Sequence, residues 1–540
     1  MTVYNQSMDE PQNILPKTAG RQIARAAGTV MVAFVFSQLI GLVRGMLVFQ
    51  AFGTSLELDS FNAANRVSEA LFNLMAGGAL GSAFIPTFTG LLAKENRQRA
   101  WQLASSIANL LIIFLALVSL LAAIFAPQIV RYGLYILSPG ESIGQEELTI
   151  LLLRILLPTT LIFGISGLVM GILNAHQVFW VPAIAPAMYS LGMIVGVLFF
   201  PESWGITRLA WGALLGSWLH LLVQLPDLLR LHGKYTLTLG LKIAEVREVA
   251  RLMGPRIFGV AIVQMNFIVN TIIALSLPVG SVSAITLAWT LMLMPQAAIA
   301  QSIAIAAMPT FSAQVAMGKF DEMRASFASA LRGILLLAVP AAIGLILLRQ
   351  PLIELLYQRG EFTEHSTALV AWALLFYALG LVGHSLVEIV SRAFYALHDT
   401  RTPVTVGVVA MAINIGLSLL LTKLFSAIGW APHGGLALAN SLATTLEMGA
   451  LLILMRRRLK GIEGQRILNA FMMAICGTAA MSAVVLLWLK VTALLPLWVS
   501  VLGAIAAGCL IYALVLAVFR VEELTMLWNM VKSRLRRSQG

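Results

Sequence analysis

The chain has 540 residues, of which 59% are hydrophobic and 11% are charged, and its net charge is +12. A soluble domain carries roughly a quarter of its residues as Asp, Glu, Lys or Arg, so this composition excludes a water-soluble fold. Uncharged stretches such as 110–127 and 501–519 have the length of about 18 residues or more that crosses roughly 30 Å of hydrocarbon as a helix.

In chain order, the first 26 residues are polar, hold Lys17, Arg21 and Arg25, and show no cleavage-type signal before the first apolar run, which predicts a cytoplasmic N-terminal segment. Apolar windows and their breakers then predict fourteen spans: 27–51, 61–91, 103–127, 149–174, 179–200, 209–229, 252–275, 283–312, 329–348, 367–396, 403–422, 435–455, 468–488 and 497–519. With the N-terminus inside, the cytoplasmic segments hold 24 of the 36 Lys and Arg residues, among them Arg456, Arg457, Arg458, Lys460 and Arg466 and the tail from Lys532 to Arg537. The segments on the other side hold six. That bias is the positive-inside pattern, and it accounts for the basic balance without a nucleic-acid partner. Both termini are expected in the cytoplasm of a multi-pass inner-membrane protein.

The remaining six basic residues, Arg44, Arg66, Arg154, Arg256, Arg332 and Arg392, fall inside predicted spans, where a charge is costly and faces protein or a wet cavity. On span 1, Ser37, Gln38, Gly41, Arg44 and Gly45 share a face. The Arg44 guanidinium is a fork of donors suited to phosphate oxygens, with snorkelling to the headgroups as the alternative reading. On span 2, Asn62, Asn65, Arg66, Glu69 and Asn73 recur at helical offsets, a polar stripe that lines water or a ligand, or else bonds a neighbouring helix. Arg256 follows Gly254-Pro255 on span 7. On span 10, His384, Glu388 and Arg392 stand one turn apart, either an ion or proton relay or a structural polar seam. Asn414 and Ser418 on span 11 form a weaker candidate for a cation. Cys476 and Cys509 lie in apolar runs, so no disulfide or metal site is expected.

Asn174-Ala175-His176 leading to Pro182 matches Tyr395-Ala396-Leu397-His398 leading to Pro403, and a shift of 221 residues superposes the two corners. The same shift brings the starts of spans 1, 2, 3 and 6 near those of spans 7, 8, 9 and 12. Each unit has an even number of spans, so the duplicated lobes should be related by an axis along the membrane normal. The expected organisation is segment 1–26, a first lobe 27–229, a basic linker 230–251, a second lobe 252–455, two added spans within 468–519, and a basic tail 520–540. No nucleotide-binding loop, metalloprotease motif or paired-cysteine motif is present, so a transporter without covalent catalysis is expected. Glu361 and Glu364 read as solvated charges at a helix start.

The segments 36–44, Asp59-Ser60-Phe61, 78–86, Met253-Gly254-Pro255, Asn270-Thr271-Ile272, and Arg392 to Ala396 running into Asp399-Thr400-Arg401-Thr402-Pro403 resemble the MurJ (MviN) lipid II flippases of cell-wall synthesis. The resemblance implies an all-α fold of the MATE-like MOP type, with two pseudo-symmetric six-helix lobes and two extra C-terminal helices. It also implies transport of undecaprenyl-pyrophosphate-linked peptidoglycan precursor by alternating access. Of the cavity arginines it implies, Arg44 is kept, while the others fall at Gln38, Phe72, Asn73 and Thr290. Acidic partners fall at Gly77 and Leu293, and one acid remains as Asp59. Expected substrate-binding residues are Arg44, Arg66, Arg256, Asp59, Gln38, Asn62, Asn65, Glu69 and Asn73. A coupling cation, Na+ or H+, or the membrane potential would supply direction, and His384, Glu388, Arg392, Asn414 and Ser418 are the candidates to carry it. Expected partners are a lipid II-like molecule, membrane lipids and cell-wall synthesis proteins, with the chain a monomer. Rival readings are a flippase for another polyprenyl-linked glycan, a MATE-type exporter, and a non-transporting scaffold.

Overall fold

The computed structural model describes residues 17–74, 81–138 and 143–519, and among these the regular structure is all helical. The first half comprises α1 (Lys17–Phe52), α2 (Leu56–Phe72), α3 (Gly81–Ala93), α4 (Arg97–Ile124), the short α5 (Ala126–Gln128), α6 (Ile143–Ala175), α7 (Trp180–Phe199), α8 (Thr207–Leu222) and α9 (Leu225–Arg230). The second half comprises α10 (Ala244–Leu275), α11 (Ser281–Gln296), α12 (Ser302–Ala316), α13 (Phe320–Tyr357), α14 (Glu364–Ala396), α15 (Arg401–Ala427) and α16 (His433–Arg458). The added pair is α17 (Gly464–Val491) and α18 (Leu497–Val518). Twelve spans among the described residues are long and apolar enough to cross a bilayer, and α10 makes a thirteenth. The remaining predicted span, 61–91, falls on α2 and α3, with 75–80 outside the described residues.

The duplication is visible in the helix ends. α3 and α12 begin 221 residues apart, α6 and α14 end 221 apart, and α7 and α15 begin 221 apart. At the two matched corners Gln177 (φ 61°) and His398 (φ 58°) both take the left-handed conformation that ends a helix. Pro182 and Pro403 stand at the third helical position, in the first turn, whose N–H groups have no intrahelical acceptors, so a proline there costs little. In the second copy, a π-type turn at Ala297–Gln301 separates α11 from α12. In the first copy, Asn73 and Leu74 start a turn of the same kind. Ser281–Ala316 nevertheless runs as one span of 36 residues, as expected for 283–312, with the π-type turn inside it.

The helices pack as two compact units. One draws on the chain up to Gly45, on Phe72–Leu120 and on Leu156–Arg256. Here α7 and α8 approach through glycines: a Cβ on Gly192 would lie 2.2 Å from the Gly216 Cα, and one on Gly196 would lie 2.5 Å from the Arg208 carbonyl oxygen. Such small-residue faces let helices associate by close packing in lipid, where apolar burial gives little driving force. Beside them Ile162, Val169, Leu173 and Leu221 form a core around a buried polar node, in which Ser166 Oγ lies 2.6 Å from His220 Nδ1 and accepts from Gln224 Nε2 at 2.7 Å. The segment between α9 and α10 is tied to α4, where Asn109 donates to the carbonyls of Thr236 (3.1 Å) and Thr238 (2.8 Å), and the start of α10 is tied to it where Arg99 pairs with Glu245 at 3.1 Å.

The other unit holds Met46–Leu71, Leu121–Ile155 and the chain from Ile257. Its core joins Phe311, Phe327, Ile334, Ile389, Phe394 and Leu451. The added pair docks on α13, where the Tyr512 hydroxyl donates to the Leu336 carbonyl at 2.6 Å, the partner such a group needs away from water. At the corner before α15, Asp399 accepts from the Thr402 backbone N–H (3.0 Å) and hydroxyl (2.8 Å). Those bonds hold its carboxyl below the usual carboxylate range.

Gly192→Leu should separate α7 from α8, at a cost of about 1–3 kcal/mol of overpacking, read as a lower Tm in detergent. Asp399→Ala should cost about 1 kcal/mol by removing the cap. Because the folded-state pKa of Asp399 is depressed, this contribution is present above the ordinary carboxylate value and disappears as pH falls through the folded value. The Tm difference between wild type and Asp399→Ala should therefore close under acid conditions.

Candidate functional site

In the unit that holds α2, the polar stripe begins with a buried acid. Asp59 is 3% exposed, and its two oxygens accept the backbone N–H groups of Gly280 and Ser283, each at 2.7 Å. These donors lie at the N-terminus of α11, where N–H groups lack intrahelical partners and the helix dipole favours an anion. Gly280 takes φ 90°, and a Cβ there would stand 2.7 Å from the Thr54 carbonyl oxygen, so only glycine fits. Three residues on from Asp59, Asn62 donates to Ser283 Oγ at 3.1 Å. Asp59 with Gly280, and Asn62 with Ser283, are each 221 residues apart, so equivalent positions of the two repeats meet here, as residues beside a pseudo-two-fold axis do. Thr54 and Ser366 hydroxyls at 2.8 Å, and the Glu361 N–H on the Gln50 carbonyl at 2.9 Å, extend the same seam. Asp59 thus acts as a clamp between repeats, a role its place in the sequence did not reveal.

Further along α2, Arg66 donates to Glu69 at 3.1 Å and Asn65 donates to the other Glu69 oxygen at 2.9 Å. The Arg66 guanidinium also lies 5.1 Å from the Phe267 ring centroid, a cation–π contact. Asn73 is half-buried at the π-type turn. Phe267 meets Trp289 edge-on, and Trp289 meets His384.

On α14 the three predicted relay residues divide. Arg392 donates to Glu388 at 2.6 Å, whereas His384 Nε2 lies 2.9 Å from Asn440 Oδ1 and 3.3 Å from Thr444 Oγ1, both on α16. Asn414 and Ser418 are buried and belong to a network with α10: Asn266 and Asn270 both donate to Asn414 Oδ1 at 3.1 Å, and Ser418 donates to Asn270 Oδ1 at 3.1 Å. The Asn414 amide nitrogen is buried with no partner among the described residues. Asn266, Asn440 and Thr444 are absent from the sequence-based candidates, and Asn270 enters there only within the family-like segment 270–272. The pair of asparagines one turn apart in an apolar span was the available signal.

In the unit that holds α7, Arg44 is half-buried, and its guanidinium meets the Met193 sulfur at 3.9 Å. A thioether is a weak acceptor, so this cation has no acidic partner among the described residues. Ser37 on the same helix donates to the Ala183 carbonyl at 3.1 Å, and Gln38 is exposed. The Arg256 side chain lies outside the described residues.

Duplicated halves whose matched positions meet at the Asp59 seam, with charged groups inside apolar spans, define a multi-pass, internally repeated membrane protein. The fold is similar to a solved lipid II flippase MurJ in an inward closed conformation, with TM-score 0.77 over 92% of this chain and 99% of that one at 23% identity. It is also similar to an inward-facing multidrug resistance MATE family transporter of the MOP superfamily, with TM-score 0.67 over 81% of this chain and 99% of that one at 15% identity. The family model described as lipid II flippase MurJ matches residues 48–508. The lipid II flippase MurJ of Burkholderia cenocepacia is 30% identical over 80% of this chain and 84% of its own length, and the probable lipid II flippase MurJ of Vibrio cholerae is 28% identical over 80% and 83%. The chain belongs to the lipid II flippase MurJ family.

Asp59→Ala should leave two buried N–H groups unpaired, at about 1–3 kcal/mol each. Hydrogen exchange at Gly280 and Ser283 should then speed by at least tenfold relative to wild type, and unchanged exchange would count against the clamp.

Proposed function

We propose that this chain carries lipid II, the undecaprenyl-pyrophosphate-linked peptidoglycan precursor, from the cytoplasmic to the outer leaflet of the bacterial inner membrane by alternating access. The observation that carries the reading is Arg44, a cation inside a span whose nearest partner is a methionine sulfur. An unneutralised charge there costs several kcal/mol, and a substrate pyrophosphate removes that cost on binding. Arg66 is already paired with Glu69 and so serves as part of the polar stripe along Asn62, Asn65, Glu69 and Asn73, which gives sugar hydroxyls hydrogen-bonding partners in place of water. Arg256 and Gln38 are assigned as further contacts to the headgroup.

With both termini cytoplasmic, as the positive-inside pattern requires, the clamp around Asp59, Thr54 and Glu361 closes the outer ends of the spans and must release for outward opening. An anion moving outward across an inside-negative membrane gains about 2.3 kcal/mol per charge per 100 mV, so the potential supplies direction, alone or with a coupled cation. The prenyl tail stays in lipid, membrane lipids surround a single chain, and cell-wall synthesis enzymes receive the product. No covalent step is required. The losses at Gln38, Phe72, Asn73 and Thr290 favour one second reading, a different polyprenyl-linked glycan as cargo.

Arg44→Ala should fail to support growth of a strain depleted of its own lipid II flippase, and Arg44→Lys should restore it in part, since an ammonium keeps the charge without the fork. Full growth with Arg44→Ala, at normal membrane abundance, would leave Arg44 as a headgroup-snorkelling residue.

A further inference from the structure

α16 carries one carboxylate inside its span, Glu447, and nothing above uses it. It stands eight residues before the end of the predicted span 435–455, about 12 Å along a helix axis. Glu447 is half-buried and has no hydrogen bond or ion pair among the described residues. Its Oε1 faces Gly407 of α15, where an added Cβ would lie 3.4 Å away, so the glycine leaves the space that the carboxyl occupies. Asn440, Thr444 and Glu447 fall at helical offsets on one face of α16, and the first two hold His384 of α14.

The charged and titratable groups nearby are few. On α14 they are His384, held by Asn440 and Thr444, and Glu388, paired with Arg392. On α15 the nearest is Arg401, at the start of the helix, with Lys423 towards the other end. α11, which also packs against α16, has none. On α16 itself the next cation is Arg456. A lone carboxylate at this depth is costly while ionised, and with no cation opposite it the neutral acid is the form that the span holds at lowest cost. When water reaches the group, the balance returns to the anion.

We propose that Glu447 is a proton-loading site of the transport cycle, protonated while the α15–α16 seam around Gly407 is dry and releasing its proton when the seam is hydrated. The proton is taken up on a carboxyl oxygen and given to water, with no other bond changed. The proposal rests on the flippase reading and names the ion that its coupling uses.

The test uses the full chain in proteoliposomes, with a fluorescent lipid II reporter and an imposed pH gradient at zero membrane potential. Wild type should flip several-fold faster with the gradient than without it, Glu447→Gln should show a ratio near one, and Glu447→Asp should recover part of the response. A Glu447→Gln protein that keeps the wild-type ratio overturns the proposal. Infrared difference spectra taken across a pH titration read the site without any cargo. The protonated-carboxyl band should be present in wild type and lost in Glu447→Gln, and a band that survives in this variant also overturns the proposal. If that band behaves as expected while wild type moves no lipid II under any gradient, the proton site stands and the lipid II reading falls.

Discussion

A charge inside hydrocarbon must be partnered, hydrated or neutralised, and most of this protein's polar architecture follows from that constraint. Arg66 and Arg392 have carboxylates one turn away, His384 has an amide and a hydroxyl, and Asp59 has two backbone N–H groups at 2.7 Å. Once these are accounted for, Arg44 and Glu447 stand out as charged groups inside spans with no ion pair among the described residues. One calls for an anion and the other for a proton.

The Asp59 seam shows how duplication is turned to use. Equivalent positions of the repeats meet there, and they have diverged into complementary roles: an acid in the first copy faces a helix N-terminus with a glycine in the second. A symmetric pair of acids at that point would repel. Divergence at the pseudo-axis converts an unfavourable like-charge contact into a capped helix start that joins the two repeats.

Much of this was legible in the sequence because lipid imposes a strong length and polarity code. The spans, the basic loops and the 221-residue repeat all follow from local pattern, and the corners at Gln177 and His398 confirm the register in the backbone. The π-type turn at Ala297–Gln301 was not legible, since apolar spacing does not distinguish one wider turn from a regular one. The split of the α14 triple was hidden for a different reason. Helical spacing placed His384 beside Glu388, but Asn440 and Thr444 arrive from α16, and spacing on one helix says nothing of what a neighbour presents. Arg44 was visible as a candidate, whereas its having no acidic partner among the described residues is a three-dimensional fact. Glu447 gives no signal in the sequence because it sits alone, without a stripe of polar neighbours like that of α2.

The central claim is that the molecule moves a pyrophosphate-linked lipid across the membrane. It is tested most directly by depleting the protein in its host and measuring which leaflet holds the lipid-linked precursor. The account predicts accumulation on the cytoplasmic side within the time that cell-wall synthesis stops, and an undisturbed distribution across the two leaflets would contradict it.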